Sequence, residues 1–170
     1  MAPGEHLIVL MGVSGSGKTT VGELLAQRLG CAFLEGDALH PPANIAKMAA
    51  GHPLDDADRA PWLAAIHARL AAAAQAGQSL VVSCSALKQA YRDTLAAGGL
   101  PLTWVYLKGS RDLLYARLLA RHGHFFKADL LDSQLADLEE PSGPSVLTLD
   151  IATPPAALAS TIASQIGTAP

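Results

Sequence analysis

The run Gly12-Val13-Ser14-Gly15-Ser16-Gly17-Lys18-Thr19 constrains this chain more than any other stretch. It fits G-x-x-x-x-G-K-[ST] in full, a loop whose glycines let successive backbone N–H groups close on phosphate oxygens. HLIVLM (6–11) before it is a continuous apolar run ended by Gly12, as expected of a strand buried on both faces. After it, Val21, Leu24, Leu25, Arg28 and Leu29 recur at near-helical spacing, and Gly30 stops the helix. A Gly/Ser-rich turn matching by chance would lack this strand before and this helix after. The pattern predicts a phosphate cradle of Gly12, Ser14, Gly15, Ser16, Gly17, Lys18, Thr19 and Thr20, backed by the helix dipole. Lys18 is the candidate to reach the β- and γ-phosphates of ATP, and Thr19 to offer its hydroxyl to Mg2+.

Four more runs, AFLE (32–35), LVVSC (80–84), LTWVYL (102–107) and VLTLD (146–150), predict further strands with helices between them. Ser85 is the candidate cap of a helix over 86–97, and Ser110 of one over 111–121. Thr153-Pro154 suits the N-cap and first position of the last helix. The alanine-rich stretch 58–76, acidic at its start and followed by Gly77, is the plainest helix. Alternating units of this length predict an α/β fold, a P-loop NTPase three-layer α/β/α sandwich on a five-stranded parallel sheet. Two stretches exceed that minimum: a helical substrate-binding insertion at about 37–76 and a lid at about 122–140. One domain over 1–170 accommodates all of it.

Charge narrows the partners. Lys and Arg number 12 against 15 Asp and Glu, with no basic stripe, which excludes a nucleic-acid binder. The basic residues that do recur (Lys88, Arg92, Arg111, Arg117, Arg121 and Lys127) suit a small polyanion in a cleft. No window approaches the roughly 20 apolar residues of a spanning helix, so no membrane association is expected. MAPGEHLIVLMG has no basic n-region, and Cys31 and Cys84 form neither a disulfide framework nor a zinc pattern. These features predict a cytoplasmic protein. A switch GTPase would carry N-K-x-D and a motor ATPase a strand ending in Asp; the third strand ends SCS instead, which leaves a small phosphotransferase.

The acceptor side has its own signature. GDALHPPANIAKMAAGHPLDDADRAPWL (36–63) resembles that of gluconate kinases, P-loop enzymes related in fold to shikimate and nucleoside monophosphate kinases. The resemblance continues through CSALKQAYRDTL (84–95), YLKGS (106–110), RLLARHGHFFKADLLDSQLADLEEP (117–141) and VLTLDIATP (146–154), nearly the whole chain in order. It implies ATP-dependent phosphorylation of D-gluconate to 6-phospho-D-gluconate by direct in-line transfer, and a homodimer. The chain departs from the family at Pro42-Ala43, where the family carries basic residues. That implies weaker attraction of an acidic acceptor, or a preference for a different polyol acid. A shikimate-like or other small-metabolite kinase on the same fold stays open as an alternative. A non-catalytic ATP-binding module is disfavoured by the complete set of Lys18, Thr19, Asp37 and two lid arginines.

Individual residues follow from the chemistry of phosphoryl transfer, which needs an oriented hydroxyl, a proton acceptor and cations. Asp37, at the end of the second strand, suits the first two roles and a share of the Mg2+ shell; its alternative is to N-cap the next helix. His40 either meets a sugar hydroxyl or is an ordinary loop residue. Arg59 lies in the first turn of a helix, where a cation opposes the dipole, so a bound carboxylate explains it better. Lys47 and Met48 are candidates to line the same pocket, while Trp62 suits packing. Lys88 and Arg92, four apart and flanking Tyr91, either reach the substrate or form a solvated basic face. Arg117 and Arg121 are again four apart; by the family resemblance Arg117 meets adenine and Arg121 the transferring phosphoryl group. HGHFFK (122–127) would be the mobile part of the lid, with Gly123 as hinge and His124 and Lys127 facing substrate and phosphates.

Overall fold

A computed structural model describes residues 5–123 and 128–167. Five strands form one sheet: β1 (Leu7–Met11), β2 (Ala32–Glu35), β3 (Leu80–Ser83), β4 (Leu102–Lys108) and β5 (Val146–Asp150). Their order is β2-β3-β1-β4-β5, and every neighbouring pair is parallel. The helices are α1 (Lys18–Leu29), α2 (Pro42–Ala49), α3 (Asp56–Gln75), α4 (Gln89–Leu95), α5 (Arg111–His122), α6 (Ala128–Asp137) and α7 (Pro155–Gly167). Short 3-10 turns occupy Gly36–Leu39 and Ala97–Gly99.

The period of two along each strand divides the core. Ile8, Leu10, Val81, Val105 and Leu107 face one side, against Val21 and Leu25 of α1, Leu114 and Leu118 of α5, and Leu158 and Ile162 of α7. Leu7, Val9, Met11, Val82 and Trp104 face the other, against Trp62, Ile66 and Leu70 of α3 and Tyr91 and Leu95 of α4. All five residues of β1 are buried, so the central strand has no solvated face. Each such Leu or Ile stabilises the fold by about 1.5–3 kcal/mol. The expected three-layer α/β/α architecture with five parallel strands is thus what the chain adopts.

Element ends differ in places. Helix α4 starts at Gln89 with Lys88 as its N-cap, and Ser85 caps nothing there. The delay has a cause: Ala86 takes a left-handed φ of 46°, and Arg92 donates to the carbonyls of Ala86 (2.7 Å) and Leu87 (3.1 Å), holding 84–88 as a loop. Helix α7 begins one residue late, at Pro155, with the Pro154 carbonyl accepting from Leu158 N–H at 3.0 Å. Ser110 does cap α5, accepting from Leu113 N–H. Helix α3 starts two residues early on a capping box, Asp55 and Asp58 each accepting the other's backbone N–H.

Candidate active site

The carboxyl ends of the strands converge on the phosphate loop that leaves β1. At Gly12 a Cβ would lie 2.9 Å from both the Leu107 carbonyl oxygen and Ser16 Oγ, so only glycine lets the loop turn there. Helix α1 opens on Gly17, in the left-handed region, without any side-chain cap. Its first N–H groups and dipole are therefore presented to an anion. Ser16 Oγ is buried without a hydrogen-bond partner among the described residues, an orphaned hydroxyl that a phosphate oxygen would satisfy. Lys18 Nζ curls back onto the carbonyls of Gly12 (2.8 Å) and Val13 (3.1 Å). Burial lowers its pKa, the Asp37 charge foremost among those opposing that shift, while Arg121 adds to it. Lys18 thus feels the charges of both Asp37 and Arg121. Thr20 is exposed in the first turn of α1.

The acceptor side is built on the end of β2. That strand ends at Glu35, and Asp37 lies two residues on, exposed in the 3-10 turn. Asp37 does not cap α2, whose N-cap is Pro41. Glu35 is the residue that sequence reasoning missed: its carboxylate accepts from Thr19 Oγ1, from Ser83 Oγ (2.7 Å) and from the Asp37 N–H (3.5 Å). It ties the α1 threonine, β3 and the acceptor turn together. A carboxylate ending a strand is a faint signal, overshadowed in the sequence by the Asp two positions later. His40 stacks on Trp62 at 4.2 Å between centroids and meets Asn44 Nδ2 at 3.2 Å, while Trp62 Nε1 donates to the Gly36 carbonyl at 2.8 Å. Burial, with a smaller push from Arg59, lowers the His40 pKa against an upward pull from Asp37.

Arg59 faces a cluster shared with α4. Its guanidinium donates to Tyr91 Oη (3.0 Å), which donates to Asp56 (2.5 Å); Lys88 reaches Asp56 at 3.4 Å. Both cations also lie over the Tyr91 ring, at 5.5 and 5.6 Å. Arg59, Lys88 and Tyr91 are therefore brought together. Two other candidates are not. Lys47 pairs with Asp58 at 2.5 Å, which also accepts within the α3 capping box. Arg92 is buried, 4% exposed, and binds the Ala86, Leu87 and Glu139 carbonyls with Gln89. Its expected reach to substrate is corrected by that geometry: the guanidinium turns inward because three carbonyls there have need of a donor. Arg117 donates to the Ile151 carbonyl at 2.6 Å beside the phosphate loop, 4.0 Å from where a Cβ on Gly17 would stand. Ser14 has its N–H and hydroxyl engaged by Gln134 of α6, a contact the sequence gave no hint of. His124 and Lys127 lie outside the described residues.

Comparison with known proteins agrees with this geometry. A family model described as an AAA domain matches residues 7–141. A gluconokinase of Gluconobacter oxydans is 56% identical over 136 residues, 80% of this chain and 76% of that protein. The thermoresistant gluconokinase of Escherichia coli is 48% identical over 152 residues, 88% of this chain and 87% of its own. The crystal structure of a gluconokinase from Sinorhizobium meliloti superposes with a TM-score of 0.82 at 48% identity, covering 95% of each chain.

Proposed function

The chain belongs to the gluconokinase family of P-loop kinases, and from that premise we propose that it phosphorylates D-gluconate with ATP, giving 6-phospho-D-gluconate and ADP by direct in-line transfer. The observation that carries this is the joining of the phosphate loop to the acceptor turn. Glu35 bridges Thr19 to the Gly36–Leu39 turn, and Asp37 acts electrostatically on Lys18. A hydroxyl presented at that turn faces the transferring phosphoryl group.

Asp37 orients the terminal hydroxyl of gluconate and accepts its proton as the new O–P bond forms. Lys18 and Arg121 hold the charge on the transferring group, with the α1 N–H groups on the β-phosphate side. Arg59 and Lys88, over the ring of Tyr91, receive the substrate carboxylate. His40, stacked on Trp62 and with its pKa lowered by burial, hydrogen-bonds a hydroxyl of the acceptor. Arg117 borders the adenine. The oxygens of Thr19, Glu35 and Asp37 are the hard donors that Mg2+ takes alongside phosphate. When bound, the ion neutralises charge on the phosphoryl oxygens. His124 and Lys127 complete the lid in this proposal, and closure excludes the water that would turn a kinase into an ATPase. We place the enzyme in the cytoplasm as a homodimer. Its free cysteines, Cys31 and Cys84, suit a reducing compartment, and the family resemblance supports the dimer.

A coupled ADP-release assay with Mg-ATP tests this across gluconate, other aldonic acids, shikimate and nucleoside monophosphates. Gluconate is expected to support turnover, and Asp37→Asn to reduce kcat by roughly 10²–10⁴-fold. Turnover only with a different acceptor discards gluconate; tight ATP binding without any turnover discards the kinase.

A further inference from the structure

Helix α6 is docked rather than loose, along its length and just past its end. Leu131 is fully buried in the core beneath α1, α5 and α7, with Leu135 and Leu138 packed against the same cluster. The Glu139 N–H donates to the Leu87 carbonyl at 2.8 Å, and Arg111 pairs with Asp132 at 2.6 Å. This docking points Gln134 at the phosphate loop, 120 residues away in sequence. Gln134 Oε1 accepts from the Ser14 backbone N–H at 2.7 Å, and its Nε2 donates to Ser14 Oγ at 3.0 Å. A backbone N–H only donates, so the amide has one possible orientation. Two consequences follow. The Ser14 N–H is withdrawn from the set that meets phosphate. Its hydroxyl, already accepting from Nε2, keeps its own proton free to donate.

We propose that Gln134 is a positioning residue for the nucleotide: it fixes the entrance of the phosphate loop and holds the Ser14 hydroxyl as a donor towards the triphosphate. Gln134 does not itself touch the phosphates. It acts through Ser14, and it makes the seating of α6 a condition for a well-formed cradle. The proposal rests on the ATP half of the function given above and is independent of which acceptor is used.

Gln134→Met keeps the length of the side chain and removes both bonds. Calorimetric titration with Mg-ATP, steady-state kinetics with gluconate and thermal denaturation are compared with wild type. The expected result is an ATP Kd and KM raised about tenfold, the loss of two hydrogen bonds discounted for water. The gluconate KM and the Tm stay near wild type. In a Ser14→Ala background the same substitution has a smaller effect, because one of the two bonds is already gone. Unchanged ATP affinity overturns the proposal. So does an equal loss for ATP and gluconate with a lowered Tm, which marks a merely structural contact, and so does full additivity with Ser14→Ala. Wild-type protein that binds ATP but leaves gluconate untouched refutes the acceptor and leaves the Gln134 comparison intact.

Discussion

Gly36 separates the two carboxylates of the acceptor turn, and it is the least replaceable residue there. A Cβ at this position would stand 2.1 Å from the Ser83 carbonyl oxygen, so one backbone segment would have to shift. Gly36→Ala is expected to destabilise the protein by roughly 3 kcal/mol or more, a value reserved for changes that force the backbone apart. A urea midpoint near wild type would show that the turn yields. Residues differ sharply in how much of their role is local. The phosphate loop is legible because its function is a property of eight consecutive backbone units. Asp37 stands out for the same reason, inside a distinctive segment. Glu35 and Gln134 are illegible because their partners are 16 and 120 positions away, and no local pattern reports a hydrogen bond that only the fold creates. Arg92 misleads for the converse reason: helical spacing predicts which residues share a face, but not whether that face meets solvent or protein.

The elements are tied to the site by polar contacts at their ends. Arg92 joins α4 to the loop after β3 and to the segment after α6, through the Ala86, Leu87 and Glu139 carbonyls. Arg92→Ala leaves those acceptors without their donor and is expected to cost about 2–4 kcal/mol. The gluconate KM should stay within about twofold of wild type, since the guanidinium is directed away from the cleft. A KM raised many-fold at unchanged Tm would instead make Arg92 a substrate ligand. At the head of α3, Asp55→Ala removes one arm of the capping box and should cost about 1 kcal/mol in denaturation experiments. All five strands were legible from apolar runs, α1 from its periodicity, α3 from its alanine content, and α5 and α7 from their caps. The start of α4 was not, because the left-handed Ala86 is stabilised by Arg92 six positions on rather than by its own neighbours.

Across the whole molecule, stability carries an alkaline limit set by the core. Burial pushes the Cys84 thiol up to about 12, and burial with the Glu140 charge pushes the Tyr106 hydroxyl up to about 12. In the unfolded chain these groups release their protons near their ordinary values, about 8.5 and 10. Between those values and about 12 the folded state binds more protons at these two groups, so their contribution to stability is constant at neutral pH and falls as pH rises through that window. Denaturation temperatures of wild type should decline more between about pH 9 and 11 than those of a Cys84→Ala, Tyr106→Phe variant; equal profiles would mean that both groups reach water. The strand order has a consequence of another kind, in time. β1 hydrogen-bonds to β3 and β4 and not to β2, so the strand that carries the phosphate loop has no partner until residues 80–83 and 102–108 have been made. During synthesis the nucleotide-binding motif precedes both strand partners of β1, and the sheet beneath it closes only after residues 102–108 have followed. A nascent chain therefore displays the motif well before the strand that carries it has both of its partners.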